Sequence, residues 1–274
     1  MEVRIDFTKS AQDNADELYK KAKKLLAKKA GAVDAIKELQ KRLEAAGAKG
    51  GVRQAPKILK VTKAEWYEKF HWFFTSSGML AIGGRDAQQN EMLNSKYFGE
   101  SDLFFHADIF GAPVVVLKDG AAADSGTKEE AAQFAACYSS AWKQMLGAVD
   151  VYAMRREQVS KSSEKGYLGA GSFLLKGERE WHRNMKLELV AFLDNGKLMM
   201  VPSKAFERMR FEKLQYARIT IGDSIKHDAA KKLARILGHD GLDAIMVRLP
   251  TGTFSVVASA IAPGSASAGA AAKS

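Results

Sequence analysis

The chain's 274 residues, 46% of them hydrophobic, suffice for one large domain or two small ones with a buried core. A formal net charge of +10 favours polyanionic partners, nucleic acid above all. A single cysteine, Cys137, excludes an internal disulfide framework or a cysteine zinc site, which fits a reducing cytoplasm, and no run of about 18 apolar residues is present to span a membrane.

Residues 1–7 lack the apolar core of a signal peptide. Residues 1–60 hold 15 Lys+Arg against 8 Asp+Glu, a net of 15 − 8 = +7. Ser10, with Asp13 three residues on, predicts a helix start. Ala15, Leu18, Ala22 and Leu25 then form one apolar stripe, and Ala32, Ile36, Leu39, Leu43 and Ala46 form a second beyond Gly31. Two such stripes predict an antiparallel helical hairpin over 1–55. It carries Lys20, Lys21, Lys24 and Lys28, which face either solvent or a phosphate backbone.

Pro56 opens a second region, with a short strand predicted at Ile58–Val61. Apolar and aromatic runs at 71–75 and 79–83, separated by Ser76-Ser77-Gly78, predict a β-hairpin. A helix follows from about Asp86 to about Phe98, then strands at about 102–106 and 113–118. Thr127-Lys-Glu-Glu130 reads as a capping box opening a helix over 128–146, with Cys137 a small core residue. Strands are predicted at 149–154 and near 172–176, 187–192 and 197–201. The class is α+β, a mixed or antiparallel sheet packed with helices over 56–203. Residues 204–260 predict a small C-terminal α/β appendage, with a strand at 215–220 and a helix at 224–237 ended by Gly238. Residues 261–274 are low-complexity and predict a disordered tail.

Several positions bear on function. Gly83-Gly84-Arg85-Asp86 stands at a strand-to-helix turn, where free amides and an arginine can hold phosphate, or where a tight turn is simply capped by Asp86. Gln89 and Asn90 can read RNA bases or brace the backbone. His106, with Asp108 two residues on, offers a general base or the start of a metal site. Nothing supplies the remaining catalytic groups at a recognisable spacing, so no catalytic residue, metal or cofactor is expected. The alternatives are an RNA hydrolase using His106 and Asp108, and a scaffold docking partners through the hairpin. Arg155 and Lys161 flank a polar loop suited to phosphate contacts. Among Trp66, Tyr67, Phe70, Trp72, Phe73 and Phe74, most are expected in the core, with one or two left as a stacking platform.

Read together, Trp66-Tyr-Glu-Lys-Phe70, Phe73-x-Thr-Ser-x-Gly78, Ile82-Gly-Gly-Arg-Asp86, Gln89-Asn-Glu91, Asp102-x-x-x-His-Ala-Asp108, Gly111-Ala-Pro-Val-Val115 and Gln158-Val-Ser-Lys161 resemble the NFACT family of ribosome-associated quality control. Glu130-Ala-Ala-Gln-Phe134 and Gly171-Ser-Phe173 extend the match, and Val3-x-Ile-Asp-Phe-Thr-Lys-Ser10 is similar to the lead into the family's coiled coil. The resemblance is nearest to archaeal members. It implies an RNA-binding module (NFACT-R) rather than a catalytic one, with Gly83, Gly84, Arg85, Gln89, Asn90, His106, Arg155, Lys161 and the hairpin lysines as RNA-contact candidates. The implied partners are rRNA of the large ribosomal subunit, tRNA, and an NFACT-N-containing chain or another quality-control factor, with no membrane. The family's NFACT-N domain and helix–hairpin–helix region have no counterpart here, so the chain is not expected to tail nascent peptides alone.

Overall fold

The computed structural model describes residues 10–16, 18, 19, 22, 23, 26 and 37 of the N-terminal segment, then 65–163, 166, 167, 173–211 and 213–261. Two units divide the chain, Met1–Thr62 and Lys63–Ser274. In the first, residues 11–16 are helical, and Ser10 Oγ accepts from the Asp13 amide at 3.1 Å, as the capping pattern predicts. Ala15, Leu18 and Ala22 of the expected stripe are exposed among the described residues. Lys20, Lys21, Lys24, Lys28, the second stripe, the Ile58–Val61 strand and the tail beyond Ile261 lie outside the described residues.

The second unit begins with the predicted hairpin, β1 (His71–Phe74) and β2 (Leu80–Gly83), paired antiparallel. Gly78 takes φ +84 at its turn, a left-handed conformation that glycine adopts without a Cβ penalty. There follow α1 (Ala87–Met92), a π-helical turn (Leu93–Tyr97), β3 (Leu103–Ala107) and β4 (Val115–Leu117). Helix α2 (Ser125–Cys137) leads to β5 (Ala148–Arg155). Four two-residue strands come next, β6 (Val159–Ser160), β7 (Ser162–Ser163), β8 (Gly166–Tyr167) and β9 (Leu174–Leu175). Then come β10 (Glu180–Lys186), β11 (Leu189–Asp194), β12 (Lys197–Pro202) and α3 (Ser203–Arg208). The chain closes with β13 (Leu214–Ile225), α4 (Lys226–Leu237), α5 (Leu242–Arg248) and β14 (Thr253–Ile261).

The fold is α+β, built on two larger sheets whose strands all pair antiparallel. One has six strands in the order β1-β2-β4-β3-β5-β10, the other four in the order β12-β11-β13-β14. Period-two alternation gives the six-stranded sheet two apolar faces. Phe73, Ala81, Leu103, Phe105, Val115, Leu117, Val151 and Ala153 point into the main core with α2. Trp72, Ile82, Phe104, Val116, Tyr152 and Met154 point into a second cluster roofed by Phe70, Leu93 and Phe98.

Helix α2 differs from its predicted form. It starts at Ser125 because Asp124, not Thr127, caps it, with Oδ1 accepting from the Thr127 amide at 2.7 Å. It stops at Cys137 rather than 146. The Ser139 hydroxyl there accepts from the Ala141 amide at 3.3 Å and opens a 3₁₀ turn at Ser140–Trp142, whose indole N–H donates to the Cys137 carbonyl. Ala141 and Trp142 stay buried, which explains why the apolar pattern runs past the helix end. Glu130 is fully buried and accepts from the Ser76 amide at 2.8 Å and the Ser76 hydroxyl at 2.5 Å, tying the hairpin turn to the helix. Gln133 ties the end of β10 to the start of α3. Its Nε2 donates to the Lys186 carbonyl (3.1 Å) and Ser203 Oγ (2.9 Å), and its Oε1 accepts from the Lys204 amide (2.8 Å).

Residues 204–260 form α3, β13, α4, α5 and most of β14, and β13 joins the smaller sheet by pairing with β11. Ile261, placed at the head of the expected tail, closes β14 and is buried. Gly238 ends α4 as expected. Of the expected inner face, Ala229 and Leu233 are buried, while Ile225 is exposed one residue before the helix. Strands β10 and β14 and helix α5 have no counterpart among the predicted elements.

Candidate nucleic-acid interface

Strand β10 is the edge of the six-stranded sheet, and register places Trp181 beside Tyr152, and Tyr152 beside His106, in one cross-strand row. Trp181 and Tyr152 meet edge to face at 5.5 Å. Two exposed arginines lie on them. The Arg179 guanidinium sits 4.5 Å from the Tyr152 ring and 5.7 Å from Trp181, and Arg183 sits 4.1 Å from Trp181. A bulge fixes Arg183. Residues 183 and 184 stand opposite Asp150 alone, which accepts from the Asn184 amide (2.8 Å) and pairs with Arg183 (2.6 Å). Those contacts, the Asn184 amide first, hold the Asp150 carboxyl below the usual carboxylate range. The extra residue also reverses the alternation, so Trp181 joins one core and Met185 the other.

His106 sits half-buried at the inner end of this row. Burial lowers its pKa, with Ala107 and Ala112 backbone groups opposing, so it is neutral near pH 7. Its Nδ1 meets the Tyr152 hydroxyl at 3.3 Å, and its ring stacks parallel to Phe104. Asp108 is exposed beyond the strand end. The histidine's hydrogen bond therefore goes to a phenol, and no His–Asp dyad is assembled. Among the described residues, no group of three or more His, Cys, Asp and Glu side chains is placed to hold a metal ion.

At the 83–90 turn the donors expected for phosphate are engaged internally. The Gly84 amide donates to the Val114 carbonyl (3.0 Å), the Arg85 amide to Gln89 Oε1 (3.1 Å) and the Gln89 amide to the Asp86 cap (2.8 Å). Arg85 Nη2 folds back to the carbonyls of Phe70 (3.0 Å) and Glu68 (3.4 Å). Gln89 Nε2 donates to the Lys69 carbonyl (3.2 Å), and Asn90 Oδ1 accepts from the Val114 amide (3.1 Å). A Cβ on Gly84 would stand 2.1 Å from Asn90 Oδ1, so glycine is what lets this brace form. The turn is a structural clasp and, in this conformation, not a cradle open to phosphate. Gly83 packs where a Cβ would crowd Val115 and Phe134.

Arg155 is exposed at the end of β5, and its amide donates to Gln158 Oε1 (2.8 Å). Lys161 pairs with Glu91 (2.5 Å) and lies 4.8 Å from the Phe173 ring. Of the aromatic run, Phe70, Trp72 and Phe73 are buried and Tyr67 and Phe74 half-buried. Trp66 is 43% exposed and stacks on Tyr97 at 4.7 Å. Trp181 and its arginines escaped the sequence reading, although Arg179-Glu-Trp-His-Arg183, with cations two residues either side of an aromatic, carries the pattern of an edge strand with one basic face.

Residues 69–177 match the NFACT protein RNA binding domain. The chain carries an NFACT-R domain. It is homologous to the archaeal Rqc2 homolog aRqcH of Methanocaldococcus jannaschii, 36% identical over 76% of this chain and 31% of that protein. The ribosome quality control complex subunit NEMF homolog of Drosophila melanogaster is 36% identical over 70% of this chain and 20% of its own length. Human NEMF is 38% identical over 47% and 12%. The chain therefore spans less than a third of the curated relatives named here. A solved structure, the C-terminal of the fibronectin/fibrinogen-binding protein from Streptococcus suis, aligns over 55% of this chain and 56% of its own at 24% identity. Its TM-score of 0.37 is too low to inform the site. The NFACT-R motifs acquire physical roles here. Asp102, buried, accepts from the Gly99 (2.7 Å) and Asp119 (2.9 Å) amides and pairs with Lys118, closing the loops around β3. Glu130 holds the hairpin turn, and Gln133 holds the end of β10 and the start of α3. Strand β10 lies just beyond the matched span and completes the domain's sheet. Among the described residues no helix is long and apolar enough to cross a membrane.

Proposed function

We propose that this chain is an RNA-binding module of ribosome-associated quality control, engaging the large ribosomal subunit, tRNA or both, and performing no chemistry of its own. One coincidence carries the reading. A domain matched to an RNA-binding family has a sheet edge on which Trp181 is flanked by two exposed arginines. Such an edge offers a π-face for an unstacked base and cations for the adjoining phosphates. The net charge of +10 supports it, as do relatives whose names place them in ribosome quality control. Partner rRNA, tRNA and an NFACT-N-containing chain or other quality-control factor belong to this proposal, with a cytoplasmic setting. Arg155 and the Lys161 loop extend the contact surface along β5. Lys20, Lys21, Lys24 and Lys28 would add phosphate contacts from the N-terminal segment. Gly83, Gly84, Arg85, Gln89 and Asn90 shape the domain, and His106 orients Tyr152 beneath the platform.

The test is a fluorescence-polarisation titration of the whole chain with tRNA and with large-subunit rRNA fragments over a range of salt. Affinity should fall linearly on a log–log plot as phosphate contacts release counterions. No binding to either RNA at low salt would end the proposal.

A further inference from the structure

The opposite edge of the six-stranded sheet holds a second concentration of cations, with Arg248 and Lys226 half-buried and Arg85 exposed. A cavity of about 190 Å³ opens beside β1, lined by His71, Trp72, Arg85, Tyr138 and Arg248 together with Glu68. Arg248 lies 4.5 Å from the Trp72 ring, and its main-chain carbonyl accepts from the Tyr138 hydroxyl at 2.8 Å. Arg85 is held by the Phe70 and Glu68 carbonyls. Lys226, at the start of α4, donates to the Leu249 carbonyl at 2.8 Å. Among the described residues none of these three cations is in an ion pair. The one carboxylate on the cavity wall, Glu68, is engaged by Lys197 at 2.5 Å.

Burial disfavours the charged form of all three, and Arg85 further disfavours Lys226 and Arg248 by repulsion. The same three charges, after burial itself, drive His71 down to about 3, so its ring is neutral. Carbonyl dipoles and one ring face compensate only part of the cost of gathering three partly desolvated charges. A doubly charged oxyanion would neutralise two of them, and guanidinium forks match its oxygens. A monocarboxylate would leave most of the repulsion in place.

We propose that this cavity is a phosphate-binding site, with Arg248 and Arg85 as direct ligands and Lys226 supplying field from the rear. The cavity takes a phosphate group and little more, which suits inorganic phosphate or the phosphate of a nucleoside monophosphate. This goes beyond the RNA platform and stands apart from it, because the two sites occupy opposite edges of the sheet.

The experiment is calorimetric titration of the whole chain with inorganic phosphate, with AMP and with adenosine, in chloride buffer at matched ionic strength. Thermal midpoints are recorded alongside. Saturable binding of phosphate, raising the midpoint above the chloride control, is expected, with adenosine inert. AMP binding tenfold tighter than phosphate identifies a nucleotide source, and equal or weaker AMP binding identifies free phosphate; either supports the site. Arg248→Gln should weaken binding at least tenfold. Lys226→Gln, which leaves the cavity wall intact, should weaken it severalfold, so the result does not hang on one variant's folding. No phosphate binding beyond the chloride control, or wild-type affinity in both variants, overturns the proposal. RNA affinity measured on the same variants should stay unchanged, so failure here leaves the RNA reading to its own test.

Discussion

At the β10 edge of the six-stranded sheet, arginines lie on the open side of Trp181 and Tyr152. At the β1 edge, arginines lie against backbone carbonyls and the ring of Trp72. The residue types are alike, and the groups they lie against make the difference. Arg179 and Arg183 keep their hydration and can exchange it for phosphate oxygens. Arg248 is half-buried, and Arg85, though exposed, has its guanidinium bonded to the Phe70 and Glu68 carbonyls, so their charge lines a cavity. Under the two proposals, one edge takes a long, loosely held polyanion and the other a small dianion.

Four measurements break or sharpen this contrast. The largest effect belongs to Gly84→Ala in the turn that carries Arg85. Its Cβ would collide with Asn90 Oδ1 and cost the Asn90–Val114 bond, a loss of about 3 kcal/mol in urea unfolding from overpacking plus a lost hydrogen bond. A neutral outcome would mean the clasp is soft. Next comes pH. The unfolded chain protonates His71 near 6.5 but the folded chain resists to about 3. The stability this confers is complete above 6.5 and is lost as pH falls from 6.5 toward 3. His71→Phe should flatten that part of a urea-midpoint profile. At the β10 edge, Trp181→Ala should cost about 1–3 kcal/mol of RNA binding, the stacking of one base, with a modest fall in the thermal midpoint because the half-buried ring also packs on the second cluster. A large drop in the midpoint with intact RNA affinity would make Trp181 a core residue only. The smallest effect is expected from Arg179→Gln with Arg183→Gln, which should reduce the salt slope of RNA binding by about 2, roughly one per phosphate contact.

What the sequence disclosed follows from where each residue's partners lie. The 71–83 hairpin was legible because Ser76-Ser77-Gly78 separates two alternating runs whose partners are local. The start of α1 was legible because Asp86 is its own signal. The end of α2 was not, because burial carries the apolar pattern on through Trp142 after the hydrogen-bond ladder has stopped. Strand β10 escaped because its bulge reverses the alternation at 183–184 and its partners stand some thirty residues away on β5. Arg85 beside two glycines suggested a clamp in which the turn's own amides hold phosphate, yet in the fold those amides are engaged within the chain. Nothing local separates that arginine from Arg183: both are exposed, and the tertiary fold alone sets one against carbonyls and the other against an indole ring.

Helix α2 is buried along most of its length, gripping the hairpin turn through Glu130 and, through Gln133, the start of α3 where the chain leaves the second sheet. Neither sheet owns it. A domain in which one helix packs into a core that both sheets share has no internal seam along which half can be removed and the remainder kept. Shortening the chain at residue 203 would strip β13 and β14 from the smaller sheet and bare the flank of the helix that the larger sheet depends on. Damage at the far sheet is thereby transmitted to the Trp181 platform, although no residue of that sheet lies on it. Melting should then be a single cooperative event, with the RNA-facing edge lost at the same temperature as the C-terminal strands.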